Sequence, residues 1–67
     1  MTNKQITTNK DIANGKPIIK GTRIKVSQIL ELLANGLTPK EITNEYPQLK
    51  PENIKEALLY ASQIIDK

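Results

Sequence analysis

The sequence predicts a mainly α fold, a three-helix helix-turn-helix bundle that is preceded by an N-terminal β-hairpin. Two observations predict the helices: apolar side chains recur at helical spacing in the C-terminal half, and helix start and stop signals separate three segments. The hairpin is predicted because residues 17–26 alternate apolar and polar side chains around a Gly-Thr pair. We expect a single domain over residues 1–67, with the hairpin at 12–26 and the bundle at 27–66.

The hairpin is predicted to turn at Gly21 and Thr22, which suit a type II′ turn with glycine at its first central position. The expected cross-strand pairs, from the turn outwards, are Lys20 with Arg23, Ile19 with Ile24 and Ile18 with Lys25. Because side chains alternate between the two faces of a strand, one face is expected to be apolar and the other to carry the cations. The first face holds Pro17, Ile19, Ile24 and Val26, and the second holds Ile18, Lys20, Arg23 and Lys25.

The segment before the hairpin is polar, and residues 1–10 are a candidate flexible arm. Within and after it, Ile6 and Ile12 are candidate strand positions that precede the turn dipeptide Asn14-Gly15. The first residues contain no apolar segment typical of a secretory signal, and no stretch approaches the roughly 18 apolar residues of a membrane span. We therefore expect a cytoplasmic protein with no membrane partner.

The first two helices are marked by capping signals. Ser27 is the predicted N-cap of the first helix, and Gly36 is the predicted C′ residue at its end. The second helix begins with Thr38 as N-cap, Pro39 at the first helical position and Glu41 three residues after the cap. This order predicts a capping box and a sharp turn between the two helices.

The third helix is predicted to begin at Pro51 and to run towards Ile65. Lys50 occupies its N-cap position, where serine, threonine or aspartate would be preferred. The predicted buried stripe has helical spacing and consists of Ile54, Ala57, Leu58, Ala61, Ile64 and Ile65. Leu59 and Tyr60 lie off this stripe and are a candidate association face, unless a second layer of the same protein covers them.

Composition limits the chemistry that is available. The chain has no histidine and no cysteine, which removes the commonest general base, the thiol nucleophile and the ligands of a zinc site. We predict that the protein is not an enzyme, with no catalytic residue, cofactor or metal site. Since a core of 67 residues rarely supplies more than a few kcal/mol, about 3–5, we also expect it to associate, as a homodimer or with a partner.

Charge is distributed unevenly and suggests an anionic partner. Residues 1–25 contain six basic and one acidic side chain, whereas residues 26–67 contain four basic and six acidic ones. A helix-turn-helix fold would place the third helix in the major groove of double-stranded DNA, where asparagine can contact adenine and lysine can contact guanine or phosphate. The candidate nucleic-acid contacts are Lys20, Arg23, Lys25, Lys40, Lys50, Asn53 and Lys55. Against this interpretation, Glu52 and Glu56 lie beside the third-helix candidates.

Four segments together resemble the domain-of-unknown-function family 433. They are Gly15 to Val26, Gly36 to Ile42, Tyr46 to Leu49, and the positions Ile54, Ala57, Leu58, Tyr60 and Ala61. The resemblance implies a homeodomain-like trihelical fold with an N-terminal hairpin, and a dimer. It also implies an antitoxin that neutralises a nuclease-like toxin of the PIN type and binds DNA as a small regulator.

Two alternatives remain open at this point. The chain is either such a DNA-binding antitoxin or a protein-interaction or homo-oligomerisation module that does not touch DNA. In the same way, Arg23 either pairs with an acidic residue such as Glu31 or Glu45 inside the fold, or it meets phosphate or an acidic partner together with Lys20 and Lys25.

Overall fold

The computed structural model describes residues 5–65 and confirms the predicted class, three helices preceded by a two-stranded antiparallel hairpin. The elements in chain order are β1 (Ile6–Thr7), β2 (Ile18–Ile19), α1 (Val26–Ala34), α2 (Pro39–Glu45) and α3 (Pro51–Ile65). Residues 1–4 of the candidate arm and residue 66 of the predicted bundle lie outside the described residues. No helix within the described range is both long and apolar enough to cross a membrane.

Strand β2 is paired along both of its edges. On one edge it lies antiparallel to β1, with Ile6 opposite Ile19 and Thr7 opposite Ile18. On the other edge Ile18 bridges Lys25, and the backbone N–H of Ile19 donates to the carbonyl of Ile24 at 2.9 Å. The pairing predicted inside the hairpin is thus present at these positions. Ile6 is a strand residue, as predicted. The predicted hairpin at 12–26 nevertheless did not include β1, which lies in the candidate arm at residues 1–10.

The turn after β2 differs from the prediction. It spans Ile19 to Thr22, because the N–H of Thr22 donates to the carbonyl of Ile19 at 3.0 Å. Gly21 is its third residue and has a φ of 83°, as a type II turn requires, so the predicted type II′ turn is wrong. Lys20 and Arg23 therefore lie in a loop, and the predicted strand pairing between these two cations is wrong as well.

A left-handed turn precedes β2. Ala13, Asn14 and Gly15 have φ values of 54°, 56° and 79°, and two hydrogen bonds of 3.1 Å close the turn, from Gly15 to Ile12 and from Lys16 to Ala13. Asn14-Gly15 is a turn dipeptide, as the sequence predicted. Ala13 is the unexpected member, since the Cβ atom makes this conformation unfavourable for alanine.

Helix α1 begins earlier than predicted. Its first residue is Val26 and its N-cap is Lys25, whose side chain forms no capping hydrogen bond, so the assignment of Ser27 as N-cap is wrong. The N–H of Val26 donates to the carbonyl of Pro17 at 3.0 Å. The chain therefore passes directly from pairing with the segment before β2 into the helix, and this bond satisfies the first N–H of α1.

The end of α1 follows the prediction. Gly36 has a φ of 95°, which glycine adopts without a steric penalty. Its N–H donates to the carbonyl of Leu33 at 3.0 Å, and the N–H of Leu37 donates to that of Leu32 at 3.2 Å. These two bonds form a Schellman motif with Gly36 at C′.

The capping box of α2 is also present. The N–H of Glu41 donates to the hydroxyl of Thr38 at 3.2 Å, and the N–H of Thr38 donates to the carboxylate of Glu41 at 2.8 Å. Both donors at the start of this seven-residue helix are thus satisfied locally.

The core contains one large, fully buried isoleucine from each of four elements. Strand β2 and the three helices contribute one each, in that order Ile19, Ile29, Ile42 and Ile54. Smaller or slightly more accessible apolar residues complete the cluster, namely Ile24, Val26, Leu49 and Ala57. Ile18 is only 2% exposed although it was predicted on the cation-bearing face, so this face is not simply polar.

Candidate functional site

The predicted buried stripe of α3 is buried only in its first half. Ile54 and Ala57 are inaccessible, but Leu58, Ile64 and Ile65 are 48%, 56% and 81% exposed, which corrects the prediction that the protein's own core covers them. Helical periodicity shows which side chains share a face. It does not show how far the neighbouring elements extend along that face.

The two residues of the candidate association face differ in their surroundings. Leu59 is 45% exposed and is available for contact. Tyr60 is half-buried and packs against the core, so it is not a free surface residue. The accessible apolar surface of α3 therefore lies at Leu58, Leu59, Ile64 and Ile65.

An apolar groove of about 370 Å³ adjoins this surface, between the start of α1 and the C-terminal turns of α3. We call it the α1–α3 groove. Its apolar lining comes from Pro17, Val26, Leu30, Tyr60, Ala61, Ile64 and Ile65, with Lys16 and Ser27 as the polar members. Burying apolar surface stabilises a contact by about 25 cal/mol per Å². Such a lining suits an apolar helix or loop.

The predicted nucleic-acid contacts are mostly accessible. Lys25 is half-buried, and the other five cations are exposed, namely Lys20, Arg23, Lys40, Lys50 and Lys55. They come from the loop after β2, the N-cap of α1, the first turn of α2, and, in α3, the position before the helix and its second turn. Within the described residues Arg23 forms no ion pair with Glu31 or Glu45, so the proposed internal partner is absent.

Asn53 is the exception among the predicted contacts, because its side chain is engaged within the fold. Its Oδ1 accepts a hydrogen bond of 2.8 Å from the backbone N–H of Lys50. Its Nδ2 donates to the Oε1 of Gln5 at 2.7 Å. An asparagine that reads adenine uses the same two groups. These two bonds fix the orientation of the amide and use one of its two acceptor positions and one of its two N–H groups inside the fold.

A second concave region lies beside Arg23, and sequence patterns did not indicate it. This cleft of about 590 Å³ is formed by residues from β1 and the loop after it, the loop after β2, the start of α1 and the α2–α3 connection. We call it the Arg23 cleft. Its members include Ile12, Thr22, Gln28 and Gln48. Isolated glutamines carry no sequence signal for a site, and only folding brings these distant segments together.

Comparison with known proteins identifies related sequences and a related structure. The family described as "Protein of unknown function (DUF433)" matches residues 6–61. The "Uncharacterized protein y4eO" of Sinorhizobium fredii is 32% identical over 56 residues, which are 84% of this chain and 25% of that protein. A crystal structure of a DUF433 member protein from Anabaena variabilis superposes with a TM-score of 0.84 at 29% identity, over 88% of this chain and 58% of that one. The chain thus spans a quarter of the curated relative and little more than half of the crystallised chain.

Proposed function

Because the chain belongs to the DUF433 family, whose function is unknown, we propose a function from its surfaces: it is a non-enzymatic protein-interaction module that associates with a second copy of itself through α3. The observation that carries this proposal is the apolar stripe of α3, which continues from the buried Ile54 and Ala57 to the exposed Ile64 and Ile65. The α1–α3 groove lies directly beside the exposed part.

A second copy is the occupant that best fits this groove. In a two-fold symmetric interface the same patch serves both partners, so a patch must supply both a groove and the side chains that fill one. The C-terminal turns of α3 supply both, since Ile64 and Ile65 line the groove and are also exposed. A stable dimer buries about 800 Å² on each partner. That area is available on an accessible surface of 5033 Å².

Self-association can be tested by sedimentation velocity on the full chain. We expect a dimer for the wild type and a monomer for Ile64→Asp, because the charge would be buried in an apolar contact. Gln63→Asp is the matched control, since Gln63 is exposed on the same turn and does not line the groove. A wild type that stays monomeric at millimolar concentration, or an Ile64→Asp variant that stays dimeric, would overturn the proposal.

The biological role that we propose for this module is that of an antitoxin. The family resemblance implies a PIN-like toxin as the partner, and exposed apolar surface on a small domain supports a protein partner of some kind. The test is a pull-down of this chain with the product of the neighbouring gene, with and without the shared promoter DNA. A stable complex that also shifts the DNA supports an autoregulating antitoxin, and a complex that ignores DNA supports neutralisation alone. No complex would contradict the role.

DNA binding is the second candidate function, and the exposure of five predicted cations favours it. Lys40, Lys50 and Lys55 lie at the starts of α2 and α3, where lysine can bind phosphate. The engagement of Asn53 does not support base reading at that position. We therefore rank non-specific phosphate contact above sequence recognition for this surface.

A further inference from the structure

We propose that the Arg23 cleft is a binding site for an acidic peptide segment of a partner protein, in which a carboxylate side chain is flanked by apolar residues. The cleft is lined by residues other than those of the α1–α3 groove. This inference therefore does not depend on self-association through α3.

The loop that carries Arg23 is held in place by its neighbour Thr22. The hydroxyl of Thr22 donates to the carbonyl of Ile19 at 2.8 Å and accepts from the N–H of Ile24 at 3.0 Å. Gly21 completes the turn with its φ of 83°. The backbone on both sides of Arg23 is thus fixed before any ligand arrives, which lowers the entropy cost of presenting the guanidinium.

The cleft offers hydrogen-bond donors around a single charge. Arg23 is the one charged side chain among the described residues that line it. The side-chain amides of Gln28 and Gln48 also line the cleft and form no hydrogen bond with other described residues. A guanidinium binds a carboxylate through two parallel hydrogen bonds, and free amides can satisfy the remaining lone pairs or a peptide backbone.

The remaining lining favours a peptide over a nucleic-acid backbone. The half-buried Ile12 contributes apolar surface to the cleft, which suits aliphatic side chains rather than phosphates. Lys20 and Lys25 flank Arg23 in sequence but do not line the cleft. A site that follows a phosphate backbone needs several cations in a row, and residues 5–65 supply this cleft with one. Its volume of about 590 Å³ lies within the usual range for ligand pockets.

The test is an NMR titration of the full ¹⁵N-labelled chain. The probe is a short capped peptide with one glutamate between two leucines, and the matched probe has glutamine in place of glutamate. We expect the glutamate peptide to shift the amide signals of Thr22, Arg23, Gln28 and Gln48, and the glutamine peptide to bind more weakly. Inorganic phosphate and a short DNA duplex serve as the other anions. If either shifts these signals as strongly as the peptide, or the glutamate peptide does not shift them, the proposal is wrong.

Variants assign the binding to this cleft. Arg23→Gln should lower the affinity for the glutamate peptide by about tenfold or more, since a charge-assisted hydrogen bond is lost. Lys20→Gln is the control, because it removes an adjacent exposed cation outside the cleft and should change affinity by less than about twofold. Gln48→Ala tests a lining residue from the α2–α3 connection and should also weaken binding. Equal affinity of wild type and Arg23→Gln would overturn the proposal, and Ile64→Asp should bind the peptide normally even if self-association is lost.

Discussion

The side-chain amide of Asn53 donates a hydrogen bond of 2.7 Å to the side-chain oxygen of Gln5, a residue 48 positions earlier in the chain. The same asparagine accepts from the backbone N–H of Lys50 through its Oδ1. Asn53 therefore compensates for the lysine at the N-cap of α3 and also joins this helix to the segment that leads into β1. Asn53, a candidate base contact from the sequence, thus has a structural role: its side chain caps α3 and links it to the N-terminal segment.

Replacement of Asn53 by alanine should destabilise the protein. The variant loses a capping bond and a tertiary bond, together worth about 1–2 kcal/mol in the free energy of unfolding. Asn53→Asp should lose less stability, because an aspartate side chain can still accept from the backbone N–H of Lys50 and its negative charge is favourable at a helix N-terminus. Urea denaturation measures both, with Asn44→Ala as the control at an exposed helical asparagine. An equal loss in Asn53→Ala and Asn44→Ala would contradict the assigned role.

Ala13→Gly should stabilise the protein. Alanine at a φ of 54° bears a steric cost of about 1–2 kcal/mol that glycine avoids. Glycine loses more chain entropy on folding, by about 0.5–1 kcal/mol, so we expect a net gain of about 0.5–1 kcal/mol. Thermal unfolding measures this gain. Ala34→Gly, at an exposed residue of α1, should instead destabilise the protein, because glycine is unfavourable in a helix.

Loss of the capping box should weaken α2. Thr38→Ala removes the acceptor for the N–H of Glu41, and we expect a loss of about 1 kcal/mol in the free energy of unfolding. Thr38→Ser keeps the hydroxyl and should stay close to the wild type. Both are measured by chemical denaturation at neutral pH. If serine and alanine at this position had the same effect, the hydroxyl would not be the source of the stability.

Lys55→Gln tests the DNA-binding candidate through salt dependence. If Lys55 contacts a phosphate, the slope of log affinity against log salt concentration should fall by about 1. Lys10→Gln makes the same change in net charge at an exposed loop position and should leave the slope unchanged. Fluorescence anisotropy with promoter DNA measures the slope. Wild-type affinity that does not respond to salt would exclude phosphate anchoring.

Local signals in the sequence were sufficient for the end of α1 and the start of α2. The capping box at Thr38 and the C′ position of Gly36 depend on residues within one turn, so the sequence contains all of the information. The start of α1 could not be found in this way, because its N-cap, Lys25, forms no side-chain cap and its first N–H donates to the distant Pro17. The pairing of β1 with β2 is similarly non-local, and two-residue strands have no detectable alternation.

The candidate surfaces were less predictable than the fold for the same reason. The spacing of Ile64 correctly placed it on the stripe of Ile54 and Ala57, but the sequence gives no measure of what lies opposite each turn of α3. The Arg23 cleft combines side chains from four parts of the chain. The cation was a candidate from the sequence, whereas Gln28 and Gln48 became part of a site only through the packing.

Each of the three helices contains one large buried isoleucine, whereas β2 contains two, Ile18 and Ile19, and this has a consequence for cooperativity. A helix held by one such anchor has little independent stability, so the loss of its anchor is expected to release the whole helix and expose the other buried isoleucines. Truncation of a buried isoleucine to alanine costs about 2–5 kcal/mol, which is comparable to the total stability of a small domain. Unfolding should therefore be all-or-none, and no fragment of the chain should keep the shape of either surface.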